Sequence, residues 1–99
     1  MSFELHVRHA LDSLPPEIAA GLENVAVVVE DENPDDPDLL GLYEEHPYLP
    51  AKVTIYRLPL EESFPEPREL EREIRITVLH ELAHYFGIDE ERLEELGYG

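Results

Sequence analysis

Pro67-Arg-Glu-Leu-Glu-Arg-Glu-Ile-Arg-Ile-Thr-Val-Leu-His-Glu-Leu-Ala-His-Tyr-Phe86, followed by Gly87, is the stretch that decides the fold of this chain. Its apolar residues recur at helical spacing. At about 100° per residue, Leu70, Ile74, Val78, Leu82, Tyr85 and Phe86 fall on one broad arc, and Leu79 and Ala83 widen it. Pro67 suits a first helical turn, where its missing N–H is not needed, and Gly87 suits a left-handed cap. The spacing therefore predicts one helix from about Pro67 to Phe86, and a helix apolar over most of its circumference is buried. Against the arc stands a narrow polar stripe of Glu73, Thr77, His80 and His84, with Glu81 at its edge. Polar groups beside a core need partners, so the stripe is where chemistry is expected.

Within it, His80-Glu81-Leu82-Ala83-His84 fits the pattern His-Glu-x-x-His. Residues i and i+4 of a helix lie one turn apart on one face, so two imidazoles reach a single tetrahedral metal at about 2.0–2.1 Å. Glu81 is offset from both histidines and is placed to hold a metal-activated water without entering the coordination shell. Neutral imidazole suits zinc. The rival reading is two unconnected helix histidines. The motif lies inside a strongly periodic helix, on its polar stripe and just before a glycine stop, which favours a zinc site with His80 and His84 as ligands and Glu81 as general base.

Outward from the long helix, the remaining elements are short. Phe3, Val7, Ala10, Leu11 and Leu14 predict a first helix over about 2–14, stopped by Pro15-Pro16, and Pro16 opens a second running to about Leu22. Val25-Ala-Val-Val-Val-Glu30 reads as a buried strand, and Lys52-Val-Thr-Ile-Tyr-Arg57 as a strand with one covered face. Residues 31–38 pair prolines with acids and form a loop. The short apolar element Leu39–Tyr43 carries Gly41, which suggests a bulge or a close backbone approach, and a further loop surrounds His46, Pro47 and Pro50. Residues 59–67 read as a proline-punctuated link, and a last helix covers 90–96. The expected architecture is one α+β domain spanning residues 1–99, with two N-terminal helices, a sheet of about three strands and the metal helix packed across it.

Composition narrows the partners. The chain of 99 residues is 42% hydrophobic, too apolar for disorder, and at this length buries roughly two-thirds of the surface an unfolded chain exposes. Its 24 acidic residues against 7 basic ones give a net charge of −17, which disfavours nucleic acid and anionic membrane surfaces as partners. With no cysteine, neither disulfides nor thiolate metal sites are available. The start of the sequence lacks the pattern of a signal peptide and no segment has the length of a membrane span, so a cytoplasmic location is the expectation.

Several stretches together make the chain resemble the minimal zincin-like metallopeptidase family, small bacterial proteins with a reduced sheet and the zincin helix near the C-terminal end. They are Ala10-Leu11-Asp12-Ser13-Leu14-Pro15, the Val25–Glu30 run, Gly41-Leu42-Tyr43-Glu44, Ile55-Tyr56-Arg57 and the stretch from His80 to Leu93. The family pattern His-Glu-x-x-His-x-x-Gly-x-x-Asp is matched at His80, Glu81, His84 and Gly87, with Glu90 where Asp is usual. The resemblance implies the zincin fold, one zinc ion, a peptide or protein substrate and a third metal ligand at Glu90. Asp89 is the alternative ligand. In the remaining reading neither residue binds metal, Asp89 caps the last helix and Glu90 complements its dipole.

Other residues carry weaker expectations. Tyr43 is placed to donate a hydrogen bond to a reacting carbonyl, or else is half-buried packing. His46 reads as a surface residue, and His6 and His9 as surface or helix-packing residues. Glu73 either orients a ligand imidazole or reaches solvent. Two functions from different classes follow: a zinc metallopeptidase, or a non-catalytic zincin-like module that binds a peptide partner with structural metal or none. An iron site of two histidines and one carboxylate is a third, less supported by this spacing.

Overall fold

The structure, a computed structural model, describes residues 2–87 and 90–95, apart from the side chains of Glu17, His84, Tyr85, Phe86, Glu90 and Leu93. Helices α1 (Phe3–Asp12) and α2 (Pro16–Gly21) and a 3-10 turn (Leu22–Asn24) lead into strand β1 (Val25–Glu30). Strands β2 (Gly41–His46) and β3 (Leu49–Tyr56) follow, then helices α3 (Arg57–Ser63), α4 (Pro67–Phe86) and α5 (Glu90–Glu95). The α+β architecture expected from the sequence is the one observed.

The sheet order is β1-β3-β2, so the last strand to be added lies in the middle. β1 pairs with β3 in parallel, from Val25 opposite Ala51 to Glu30 opposite Tyr56. β2 runs antiparallel to β3, with Gly41 opposite Ile55 and Tyr43 opposite Val53, and the register shifts between Glu44 and His46. On β3, Val53 through Tyr56 are all buried, whereas alternation alone suggests one covered face. Val53 and Ile55 join the core, and on the alternate side the loop after β1 reaches over, Asn33 Nδ2 donating to Tyr56 Oη at 2.9 Å.

α4 is the spine of the molecule. Glu66 caps its start by accepting from the backbone N–H of Glu69 at 3.0 Å, and Gly87 ends it with φ 66° and ψ 29°, a left-handed conformation in which Cβ-bearing residues are strained. Leu70, Ile74, Val78, Leu79, Leu82 and Ala83 are buried as the periodicity predicts, against α1, β2 and β3. Burying side chains of this size contributes about 1.5–3 kcal/mol each, which fixes the helix across the sheet. From α1, Phe3, Val7 and Ala10 complete this core.

α1 is also tied to α4 by charge. His6, only 6% exposed, donates from Nδ1 to Glu71 Oε1 at 2.7 Å, and His9 Nδ1 lies 3.3 Å from the same oxygen. A carboxylate only accepts, so the protons sit on these ring nitrogens. The His6 hydrogen bond, opposed by burial and aided by His9, holds the Glu71 carboxyl below the usual range.

Three expectations are corrected. Residues 57–63 of the expected strand end and link are helix α3, where Pro59 sits in the first turn and costs no hydrogen bond. Arg57 therefore belongs to a helix and not to the strand; it donates to Asp31 Oδ1 at 2.9 Å and to Glu61 Oε1 at 2.6 Å. The loop expected around His46 and Pro50 is largely a hairpin, because β2 runs to His46 and β3 starts at Leu49. Pro50 is tolerated since β1 begins to pair only at Ala51.

Candidate active site

The polar stripe of α4 opens onto a cleft of about 400 Å³. Glu73, Ile76, Thr77, His80 and Glu81 form one wall. Asp36, Asp38, Leu39, Leu40 and Gly41, the chain running into β2, form the other. Two local features set their spacing. Asn33 organises the loop: its Oδ1 accepts from the backbone N–H groups of Asp35 at 2.8 Å and Asp36 at 3.0 Å, and Asp36 Oδ1 accepts from Asp38 N–H at 3.2 Å. Gly41 then lets the strand press on the helix. A Cβ there would stand 2.6 Å from Thr77 Cγ2, 3.3 Å from the Thr54 carbonyl oxygen and 3.5 Å from Glu81 Cγ. The close approach expected at Gly41 is real, and what it approaches is the turn of α4 bearing Glu81.

Of the residues singled out in the sequence, His80 and Glu81 meet in this cleft, both half-buried. Among the described residues no hydrogen bond engages the His80 imidazole. Glu73 lines the same wall without bonding to His80, so the imidazole-orienting reading of Glu73 gains no hydrogen bond here. His84 is on α4 one turn beyond His80, but its side chain, Asp89 and the Glu90 side chain lie outside the described residues. No group of three or more potential ligands is found among the described residues. Tyr43 lies on β2 and donates to Glu45 Oε1 at 2.7 Å while its ring packs against the core, as the packing reading has it. His46 is exposed at the end of β2, and His6 is a helix-packing residue.

Sequence reasoning did not single out Asp36, Asp38, Leu39 or Leu40 as the facing wall. Loop residues have no periodicity to place them; the usable signal was their position immediately before the glycine flagged for close approach.

What this donor set suits chemically is a small borderline metal ion. A half-buried imidazole with no hydrogen-bond partner among the described residues opens on the cleft, a second histidine follows one helical turn on, and Glu81 stands beside the first. The model of the zincin-like metallopeptidase family matches residues 22–99, from the 3-10 turn before β1 onward. The chain belongs to that family, whose members depend in general on zinc. A comparison with curated proteins finds no match. No helix among the described residues is long and apolar enough to cross a membrane.

Proposed function

We propose that the chain is a zinc-dependent metallopeptidase, with His80 and His84 as metal ligands, Glu90 as the third protein ligand and Glu81 as the general base. The observation that supports this reading is the meeting of His80 and Glu81 in one cleft against the Gly41 end of β2. When bound, zinc supplies Lewis acidity, which polarises a carbonyl and makes a water acidic. Glu81 would take a proton from the attacking water and pass it to the departing nitrogen as the bond between the amide carbon and that nitrogen breaks. Among the described residues β2 pairs with β3 along one edge only, and its other edge suits an extended peptide added as a strand.

The test is zinc content and peptide hydrolysis of the parent and of Glu81→Gln. Zinc in both proteins with hydrolysis only in the parent supports the proposal. Zinc in both with hydrolysis in neither identifies the non-catalytic module, and zinc in neither removes the metal centre.

A further inference from the structure

The cleft is apolar where it is sheltered. Asp36 and Asp38 are exposed and keep their water, so they stand at its rim. Leu39 and Leu40 from the loop wall and Ile76 from α4 are half-buried in it. Leu40 also packs against the core, but Leu39 and Ile76 are not among the described side chains that do. Their apolar surface is in part still open to water, and covering it with another apolar group is favourable. Such surface on two facing walls encloses an apolar group from both sides.

The position of this surface fits one kind of occupant. On α4, Glu73, Ile76, Thr77, His80 and Glu81 share one face, and Ile76 stands one turn before His80, their Cβ atoms about 5–6 Å apart. An extended peptide advances about 3.3–3.4 Å per residue. A peptide whose carbonyl lies at His80 and Glu81 therefore has a side chain flanking that carbonyl within reach of Ile76. At about 400 Å³ the cleft takes one side chain with its adjoining backbone and not a folded protein. The side chains of Leu39, Leu40 and Ile76 offer no hydrogen bond, so an amide or hydroxyl placed on them loses water and gains no partner. Glu73, half-buried beside Ile76 and without a cationic partner among the described residues, repels an acidic side chain.

We propose that Leu39, Leu40 and Ile76 form a subsite for an aliphatic side chain next to the bond to be cut, so that the substrates are peptides with an apolar residue there. This inference rests on the peptidase reading for the position of the bond and on the cleft alone for the preference.

Its test compares peptides that differ only by leucine against asparagine, side chains of nearly equal size, at each of the two positions flanking the cut bond. The measurements are kcat/KM on the zinc-loaded parent and affinity by fluorescence anisotropy on zinc-loaded Glu81→Gln. The leucine peptide is favoured by at least about tenfold in both assays at one of the two positions. The preference persists as salt is raised, as one set by charge would not. Leu39→Ser on the loop and Ile76→Ser on the helix each lower the ratio by at least about threefold, with circular dichroism to check the fold. Hydrolysis of all the peptides at equal rates overturns this inference and leaves the peptidase standing. Preferential binding of the leucine peptide without hydrolysis sinks the peptidase and supports the subsite. Neither binding nor hydrolysis of any of them overturns both, and a preference that survives Leu39→Ser and Ile76→Ser overturns the assignment to these residues.

Discussion

Glu71 and Glu73 are two residues apart on α4, and their surroundings differ in kind. Glu71 shares one carboxylate oxygen between His6 at 2.7 Å and His9 at 3.3 Å, at the seam where α1 packs on the helix. Glu73 faces a cleft with two further acids from the loop before β2 and has no cationic partner among the described residues. One helix therefore carries a charge that is spent on holding the fold and, about 200° round its axis and so close to the opposite face, a charge that is left available. A paired charge reports on stability, whereas an unpaired one in a cleft reports on what the cleft binds.

The difference breaks first at the metal. His80→Ala, on the cleft side, is expected to abolish hydrolysis and weaken zinc binding by more than about a hundredfold, since a ligand contributes at least as much as the groups that orient it. Metal analysis after dialysis checks this, and full zinc content in the variant would place the centre elsewhere. Next in size is a wedge between the walls. Gly41→Ala puts a methyl group 2.6 Å from Thr77 Cγ2 and is expected to destabilise the fold by up to about 3 kcal/mol in urea unfolding. Thr77→Ser, which removes that Cγ2, should recover part of the loss in the double variant; no recovery would mean that the strain sits at the Thr54 carbonyl.

On the α1 side, His6→Ala is expected to cost about 2 kcal/mol, from a buried ring removed and a carboxylate deprived of its shorter hydrogen bond. Glu71→Gln is milder, about 1 kcal/mol, and depends on pH. Because the folded state holds the Glu71 carboxyl below its ordinary value of 4.5, its contribution is complete above that value and is lost as pH falls through the folded-state value. Unfolding of parent and variant at about pH 6 and about pH 3 should show the gap closing on acidification. A gap that widens instead would reverse the sign and remove the pairing as its cause. The smallest effect belongs to the other glutamate: Glu73→Gln should change stability by less than about 0.5 kcal/mol. A larger loss would show that Glu73 holds the fold too, and the contrast between the two residues would vanish.

Much of this arrangement was legible in the sequence, for reasons that can be named. α4 announces itself by period, by Pro67 at its start and by Gly87 at its end, and Val25–Glu30 forms the strand its β-branched run suggests. His80 and Glu81 were readable because a helix fixes the relative positions of near neighbours without help from the rest of the chain. α3 was missed because prolines look like breakers wherever they stand, whereas a first helical turn accepts Pro59. The extensions of the hairpin through Glu44–His46 and Leu49–Pro50 are exposed and carry no alternating apolar pattern, so only pairing with the neighbouring strand defines them. The wall of Asp36 to Leu40 was illegible for a similar reason: which loop lies over a helix is decided by tertiary packing. The same holds for the His6–Glu71 pair.

That pair joins residues 65 positions apart, and this separation has a consequence for how the protein is made. α1 leaves the ribosome early, with Phe3, Val7 and Ala10 forming an apolar stripe whose partner, α4, has not been synthesised. At roughly 5–20 residues per second the delay lasts several seconds, long compared with the collapse of a chain this small. β1 waits similarly, since its neighbour β3 follows only after β2. The nascent chain therefore passes through an interval in which its first helix and first strand present bare apolar surface, the stage of its life at which a chaperone has most to hold.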